Sequence, residues 1–205
     1  MKESRRRQIR RALGCGITVL VAARAPLHAG SVIGKATIDG SAVVGLIALE
    51  STHPAPAKQE PRRALHAVMD QKNLTFIPPL LPIVAGTVVE FTNSDDVQHN
   101  VFSPSEIAGK FDLGTYGPGA VRSITFSEPG EARVLCNIHM EMEARILVLK
   151  EPHFSVVSED GRYEIRDVPA GEYVLKVWAE RWLPFTRTVA VTDGRDLTVD
   201  VIPER

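Results

Sequence analysis

The chain has 205 residues, 44% of them hydrophobic and 24% charged, with a formal net charge of −1. That hydrophobic share supports one or two modest folded domains and excludes a disordered tail. Seven of the 24 Lys and Arg, but one of the 25 Asp and Glu, fall within residues 1–29, which leaves 17 basic and 24 acidic groups downstream and a net charge of −7. A basic protein built for nucleic acid is excluded, and two cysteines, Cys15 and Cys136, supply neither a disulfide framework nor a Cys-rich zinc site.

Residues 1–29 predict an export signal. Lys2 to Arg11 are strongly basic, Ala12 to Ala23 are apolar, and the small residues around Ala29-Gly30 offer a processing site after Ala29. The apolar run is shorter than the roughly 20 residues a membrane span needs, so no stable span is expected after signal removal. Ser4-Arg5-Arg6-Arg7-Gln8-Ile9-Arg10 partly matches a twin-arginine signal, with Gln8 where an aromatic or apolar residue is preferred, so the Sec and twin-arginine routes both stay open. Most of the apolar run follows Cys15 instead of preceding it, which argues against lipidation. A periplasmic or secreted location follows as an expectation. Cys136 is then an unpaired thiol in an oxidising compartment and requires an explanation.

Downstream, the readable segments are short and rich in β-branched residues, and no run of ten or more has good helical periodicity, which predicts an all-β fold. Tyr173, Leu175 and Val177 fall on one face of a strand, and Leu197, Val199 and Val201 repeat the pattern. Asp39-Gly40, Asp160-Gly161 and Asp193-Gly194 are dipeptides suited to tight hairpins. Thr52 to Arg63, with Pro54, Pro56 and Pro61, reads as a linker, and Lys150-Glu151-Pro152 marks a second break. The expected organisation is therefore a signal at 1–29, one sandwich split between 30–63 and 151–205, and an inserted domain at 64–150.

The two flanks carry a hairpin pattern over Gly34 to Glu50 and the block Asp160-Gly161-Arg-Tyr163…Val168-Pro169-Ala-Gly171-Glu-Tyr173-Val-Leu175. In that order they resemble the prealbumin-like, or carboxypeptidase-regulatory-like, β-sandwich over residues 34–50 and 154–202.

The inserted segment holds the chemistry. Cys136-Asn-Ile-His139-Met-Glu-Met142 puts a thiolate, an imidazole and thioethers on one short loop, and Gln98-His99-Asn100-Val101 is read at the end of a strand beginning near Thr87. Two imidazoles, one thiolate and one weak thioether are the donors of an electron-transfer copper centre. A soft thiolate and a distant thioether favour Cu(I), while the two nitrogens suit both oxidation states, so little has to move when an electron does. Met140 and Met142 both compete for the thioether place, and His53, His66 and His153 read as surface residues of linker or flank.

These motifs resemble the cupredoxins of the plastocyanin and amicyanin type. Cys136-x-x-His139-x-x-Met142 is similar to the short amicyanin loop, His99-Asn100-Val101 to the strand-end histidine, and the 37-residue gap between His99 and Cys136 fits. Glu90-Phe91-Thr92-Asn93 and Thr125-Phe126-Ser127-Glu128-Pro129-Gly130 match further. The resemblance implies a Greek-key β-sandwich holding one type 1 copper through His99, Cys136, His139 and Met142, with Asn100 tying the two ligand loops together by its side chain and Asn137 as its partner. A cupredoxin inserted in such a split sandwich also resembles bacterial exported proteins labelled methylamine-utilisation proteins.

The implied function is one-electron transfer through the His139 edge, rimmed by Met140 and Pro78-Pro79-Leu80-Leu81. The expected partner is a c-type cytochrome or a periplasmic dehydrogenase, and the acidic mature chain favours a basic one. The alternative is a periplasmic copper carrier or storage protein using the same ligands. An enzyme is not expected, because a catalytic copper needs further histidines and only five follow residue 29.

Overall fold

A computed structural model describes residues 29–38, 41–42, 45–53, 65–106, 110–179 and 185–202. Residues 1–28 of the expected export signal, Cys15 among them, Asp39-Gly40 and residues 54–63 of the expected linker lie outside the described residues. In chain order the strands are β1 Gly30–Lys35, β2 Thr37–Ile38, β3 Ser41–Ala42, β4 Gly45–Ser51, β5 His66–Lys72, β6 Thr75–Ile77, β7 Leu80–Val84, β8 Thr87–Asn93 and β9 His99–Ser103. They continue as β10 Phe111–Tyr116, β11 Val121–Phe126, β12 Gly130–Leu135, β13 Glu143–Leu149, β14 Phe154–Val156, β15 Arg162–Val168, β16 Gly171–Ala179, β17 Phe185–Val191 and β18 Leu197–Thr198. The fold is all-β, and no helix among the described residues is long and apolar enough to cross a membrane.

Residues 66–149 make two facing sheets, ordered β10-β9-β12-β13-β7 and β11-β8-β5-β6. β8 shows why: Thr87, Val89, Phe91 and Asn93 alternate inward with half-buried neighbours, the period-2 pattern of a strand with one covered face. β5 pairs with β8, and β7 with β13, in parallel, while the other pairs are antiparallel, in keeping with a Greek-key sandwich. Met69, Phe76, Phe91, Val101, Phe126 and Ile146 fill the core between the sheets.

The remaining sheets draw on both ends of the chain. β15-β1-β18 and β14-β4-β16-β17 face one another over Val32, Ile47, Leu49, Ile165, Leu175 and Val177. β4 is buried from Gly45 to Leu49 without alternation. Ile47 and Leu49 enter this core, while Leu46 and Ala48 turn the other way and meet Leu147 and Leu149 of β13, with Leu80, Phe154 and Trp178 packed alongside. β13 is likewise two-faced, since Ile146 and Val148 belong to the core of residues 66–149. Continuous apolar runs in both strands therefore reflect burial on two sides.

Three readings of local structure change. Gly161 and Gly194 do adopt positive φ, 81° and 63°. Their turns, however, join β14 to β15 and β17 to β18, strands of different sheets, so they are corners between layers and not hairpins. The strand from Thr87 ends at Asn93, and His99 instead begins β9. His66 is exposed, as expected of a surface residue, but it starts β5 instead of lying in a linker.

Candidate metal centre

β12 and β13 form a hairpin whose register closes at Leu135 opposite Glu143, leaving residues 136–142 as its tip. The tip is braced internally: the Cys136 N–H donates to the Met142 carbonyl at 3.3 Å, and the Met142 N–H to the His139 carbonyl at 3.0 Å. β9 lies beside β12, with Phe102 opposite Leu135, and this brings His99 to the same end of the sheet.

The ligating atoms of His99, Cys136 and His139 all lie within 4.8 Å of one another. His99 Nδ1 and His139 Nδ1 are 3.0 Å apart, with ring centroids at 4.8 Å and a 64° interplanar angle. His99 and Cys136 are buried, and His139 is partly open to solvent. Met142 is 1% exposed and shares the core with Cys136, whereas Met140 is 85% exposed. Of the two methionines, Met142 is thus the one on the buried side of the loop.

Asn100 differs in detail from the sequence reading. Its backbone N–H, not its side chain, approaches the Cys136 sulfur, at 3.5 Å. Its side-chain amide donates to Asp112 Oδ1 at 2.8 Å, an oxygen that also accepts the Gly114 N–H at 2.9 Å. Asn100 Oδ1 is buried without a hydrogen-bond partner, and Asn137 is exposed. The tie between the two ligand segments therefore runs through main chain. A donor at the sulfur withdraws electron density from it.

Two groups near the centre went unread in the sequence. Asp95 Oδ2 lies 2.8 Å from His99 Nε2. The same carboxylate accepts the Asn73 N–H at 2.6 Å and the Leu74 N–H at 3.0 Å. Burial raises its pKa, but hydrogen bonds from Leu74, His99 and Asn73 outweigh this and hold the carboxyl below its ordinary value. Spacing alone does not flag it, because an acid four residues before a histidine is common. Tyr116, opposite His99 in the β9–β10 ladder, is buried and pushed up to about 12 by that burial, against the opposing hydrogen bond from Gln71. Its hydroxyl accepts from Gln71 Nε2 at 2.6 Å and donates to the Phe91 carbonyl at 3.3 Å.

Ile138 and Met140 are exposed on either side of His139 in sequence. Leu80 packs partly in the seam against β4 and Leu81 partly on the domain core, and both keep intermediate exposure.

Residues 64–149 match the family described as copper binding proteins, plastocyanin/azurin family. This segment is a cupredoxin domain. Solved structures similar to the chain include a purple cupredoxin from Nitrosopumilus maritimus, at 23% identity over 40% of this chain and 99% of that one, with a TM-score of 0.37. A reduced amicyanin variant aligns at 23% identity over 50% and 98% of the two chains, with a TM-score of 0.39. A copper-containing nitrite reductase from Thermus scotoductus SA-01 aligns at 28% identity over 49% of this chain, with a TM-score of 0.41, and the alignment spans 26% of the reductase. Among curated proteins, no sequence matches the chain. Copper is the metal of the cupredoxin domain, and the donors present fit it: a buried sulfur and two imidazole nitrogens converge, with a thioether residue in the same core.

Proposed function

We propose that the protein is a one-electron carrier in which His99, Cys136, His139 and Met142 hold a single type 1 copper. When bound, copper supplies the reversible Cu(II)/Cu(I) couple; the chain's part is to fix the donors and admit a partner. The observation that carries this reading is the convergence of the ligating atoms of His99, Cys136 and His139 within 4.8 Å, with His99 and Cys136 buried and His139 partly open. Prearranged donors on a braced loop move little between oxidation states, and a half-open imidazole gives a partner a short path to the centre.

A carrier is favoured over a catalyst by the disposition of the other histidines. His53 and His66 are exposed and distant in sequence from the loop, and the ring of His153 packs against Tyr173. The partner is a redox protein such as a c-type cytochrome or a periplasmic dehydrogenase, meeting a small surface around Ile138, His139 and Met140, with fast dissociation. The basic leader supports export to the periplasm or beyond. β1, β4 and β14–β18 are read as one carboxypeptidase-regulatory-like sandwich split by the cupredoxin domain, a reading supported by the pairing of β1 with β15 and of β4 with β14 and β16.

The test is to add Cu(II) to the purified protein, remove excess metal and record its visible spectrum and electron exchange with a cytochrome c. An intense thiolate-to-copper band, bleached reversibly by a one-electron reductant, is expected. A colourless complex, or one that surrenders copper to an acceptor protein faster than it exchanges electrons, overturns the reading.

A further inference from the structure

We infer that Asp95 is a positioning residue for the metal centre. It fixes which nitrogen of His99 carries the proton and, through that ring, shifts the balance between the two copper oxidation states. The inference rests on the copper-carrier reading for its second half only; the first half concerns the metal-free protein.

An ionised carboxylate only accepts hydrogen bonds, so the contact of Asp95 Oδ2 with His99 Nε2 at 2.8 Å requires the proton on Nε2. In the neutral ring, Nδ1 then carries the lone pair, and it is Nδ1 that faces His139. The 3.0 Å contact between the two Nδ1 atoms next requires His139 to donate from its own Nδ1 when no metal is present. Asp95 thus presents the correct nitrogen of His99 in advance, and its charge makes that nitrogen a stronger donor.

The carboxylate is itself held from an unusual place. Asn73 and Leu74, at the tip of the β5–β6 hairpin, have φ of 55° and 57°. Left-handed backbone is disfavoured for a branched residue such as leucine. Here it turns both N–H groups toward Asp95, at 2.6 and 3.0 Å. The Asp95 N–H is tied to Asn93 Oδ1 at 3.0 Å, and the Asn93 amide donates to the Val97 and Tyr116 carbonyls. The side chain is therefore fixed from both sheets: β9 carries its histidine, and β5–β6 carries its donors. A carboxylate serving only the turn would have no reason to place Oδ2 on a ligand's ring.

Two measurements test this. Nitrogen NMR of the copper-free full-length protein with labelled histidine should show the proton of His99 on Nε2 and that of His139 on Nδ1. A His99 ring carrying its proton on Nδ1 overturns the inference without any variant. Voltammetry of copper-loaded Asp95→Asn should then show a potential higher than the parent's. Weaker donation from His99 costs Cu(II) more than Cu(I), and an about tenfold loss in that preference corresponds to about 59 mV. Asp96→Asn removes the same charge from the exposed adjacent residue. If it shifts the potential as much as Asp95→Asn does, the positioning role fails. If the parent shows no reversible couple at all, the carrier reading fails instead, and the tautomer measurement still decides the role of Asp95.

Discussion

The Nδ1 atoms of His99 and His139 face each other across 3.0 Å, although one ring begins a strand and the other sits on a hairpin tip 40 residues later. Two imidazole lone pairs at that distance repel unless a proton or a cation lies between them. With the Cys136 sulfur in the same group, a soft metal ion placed there would stabilise the arrangement.

Removing the sulfur should remove the colour. Cys136→Ser is expected to abolish the thiolate-to-copper band while the apoprotein stays folded, because serine is a near-isostere. His139→Ala deletes a ligand outright, so its loss of copper affinity should exceed the about 10–100-fold that loss of an outer hydrogen-bond partner costs. Visible spectroscopy and competition with a copper chelator measure both effects.

Tyr116→Phe probes the buried polar group beneath His99. The Gln71 amide would lose its acceptor at the Tyr116 hydroxyl, leaving one donor bond, to the Thr92 carbonyl. An expected cost of about 1–3 kcal/mol follows for the stranded donor. The parent has a second signature. Because folding raises the Tyr116 pKa from 10.0 to about 12, this residue's contribution is full below pH 10 and is lost as pH rises toward 12. Denaturant titrations across that window should show a steeper decline in the parent than in Tyr116→Phe.

Gly34→Ala tests the flanking strands. A Cβ at Gly34 would stand 1.9 Å from the Val199 carbonyl oxygen and 3.1 Å from Tyr163 Cε1, so β1 would have to move away from the segment after β18. Destabilisation of about 1–3 kcal/mol or more is expected. Val199 also accepts the Tyr163 hydroxyl, and that bond should weaken with it. The visible spectrum of the folded fraction should not change, since the metal residues lie on β9 and on the β12–β13 tip. Thermal unfolding followed by circular dichroism and by colour separates the two effects.

Leu147→Ala tests the seam between β13 and β4. Leu147 is buried against Leu46 and Ala48, and truncation should cost about 2–5 kcal/mol. The corresponding fragment, residues 64–150 alone, would expose Leu147, Leu149 and Leu80 together. It is expected to self-associate, in contrast to the full chain, which sedimentation would show.

What the sequence made legible follows from local chemistry. The all-β fold was readable because alternation such as Thr87, Val89, Phe91 and Asn93 is a local property, and the Cys136 loop because its donors are consecutive. Asp95 was not readable, since its role depends on the β5–β6 turn being brought to it from another part of the chain. Nor were the uses of Asp160-Gly161 and Asp193-Gly194, because a turn dipeptide specifies a bend and not which sheet the chain enters next. The apolar run Ile146 to Leu149 lies directly before the break at Lys150-Glu151-Pro152, but its two-sided burial depends on β4, nearly a hundred residues earlier.

The order in which the chain is made gives β4 a particular predicament. It is synthesised before the whole of residues 65–149, yet it pairs only with β14 and β16, which come after them. At ordinary elongation rates of about 5–20 residues per second, the hundred or so residues from Ser51 to Phe154 impose a wait of about 5–20 seconds. During that interval Leu46 to Leu49, the longest fully buried strand segment at the front of the chain, has no partner strand to join. An apolar strand completed before the copper-binding segment is thus also among the last to be covered.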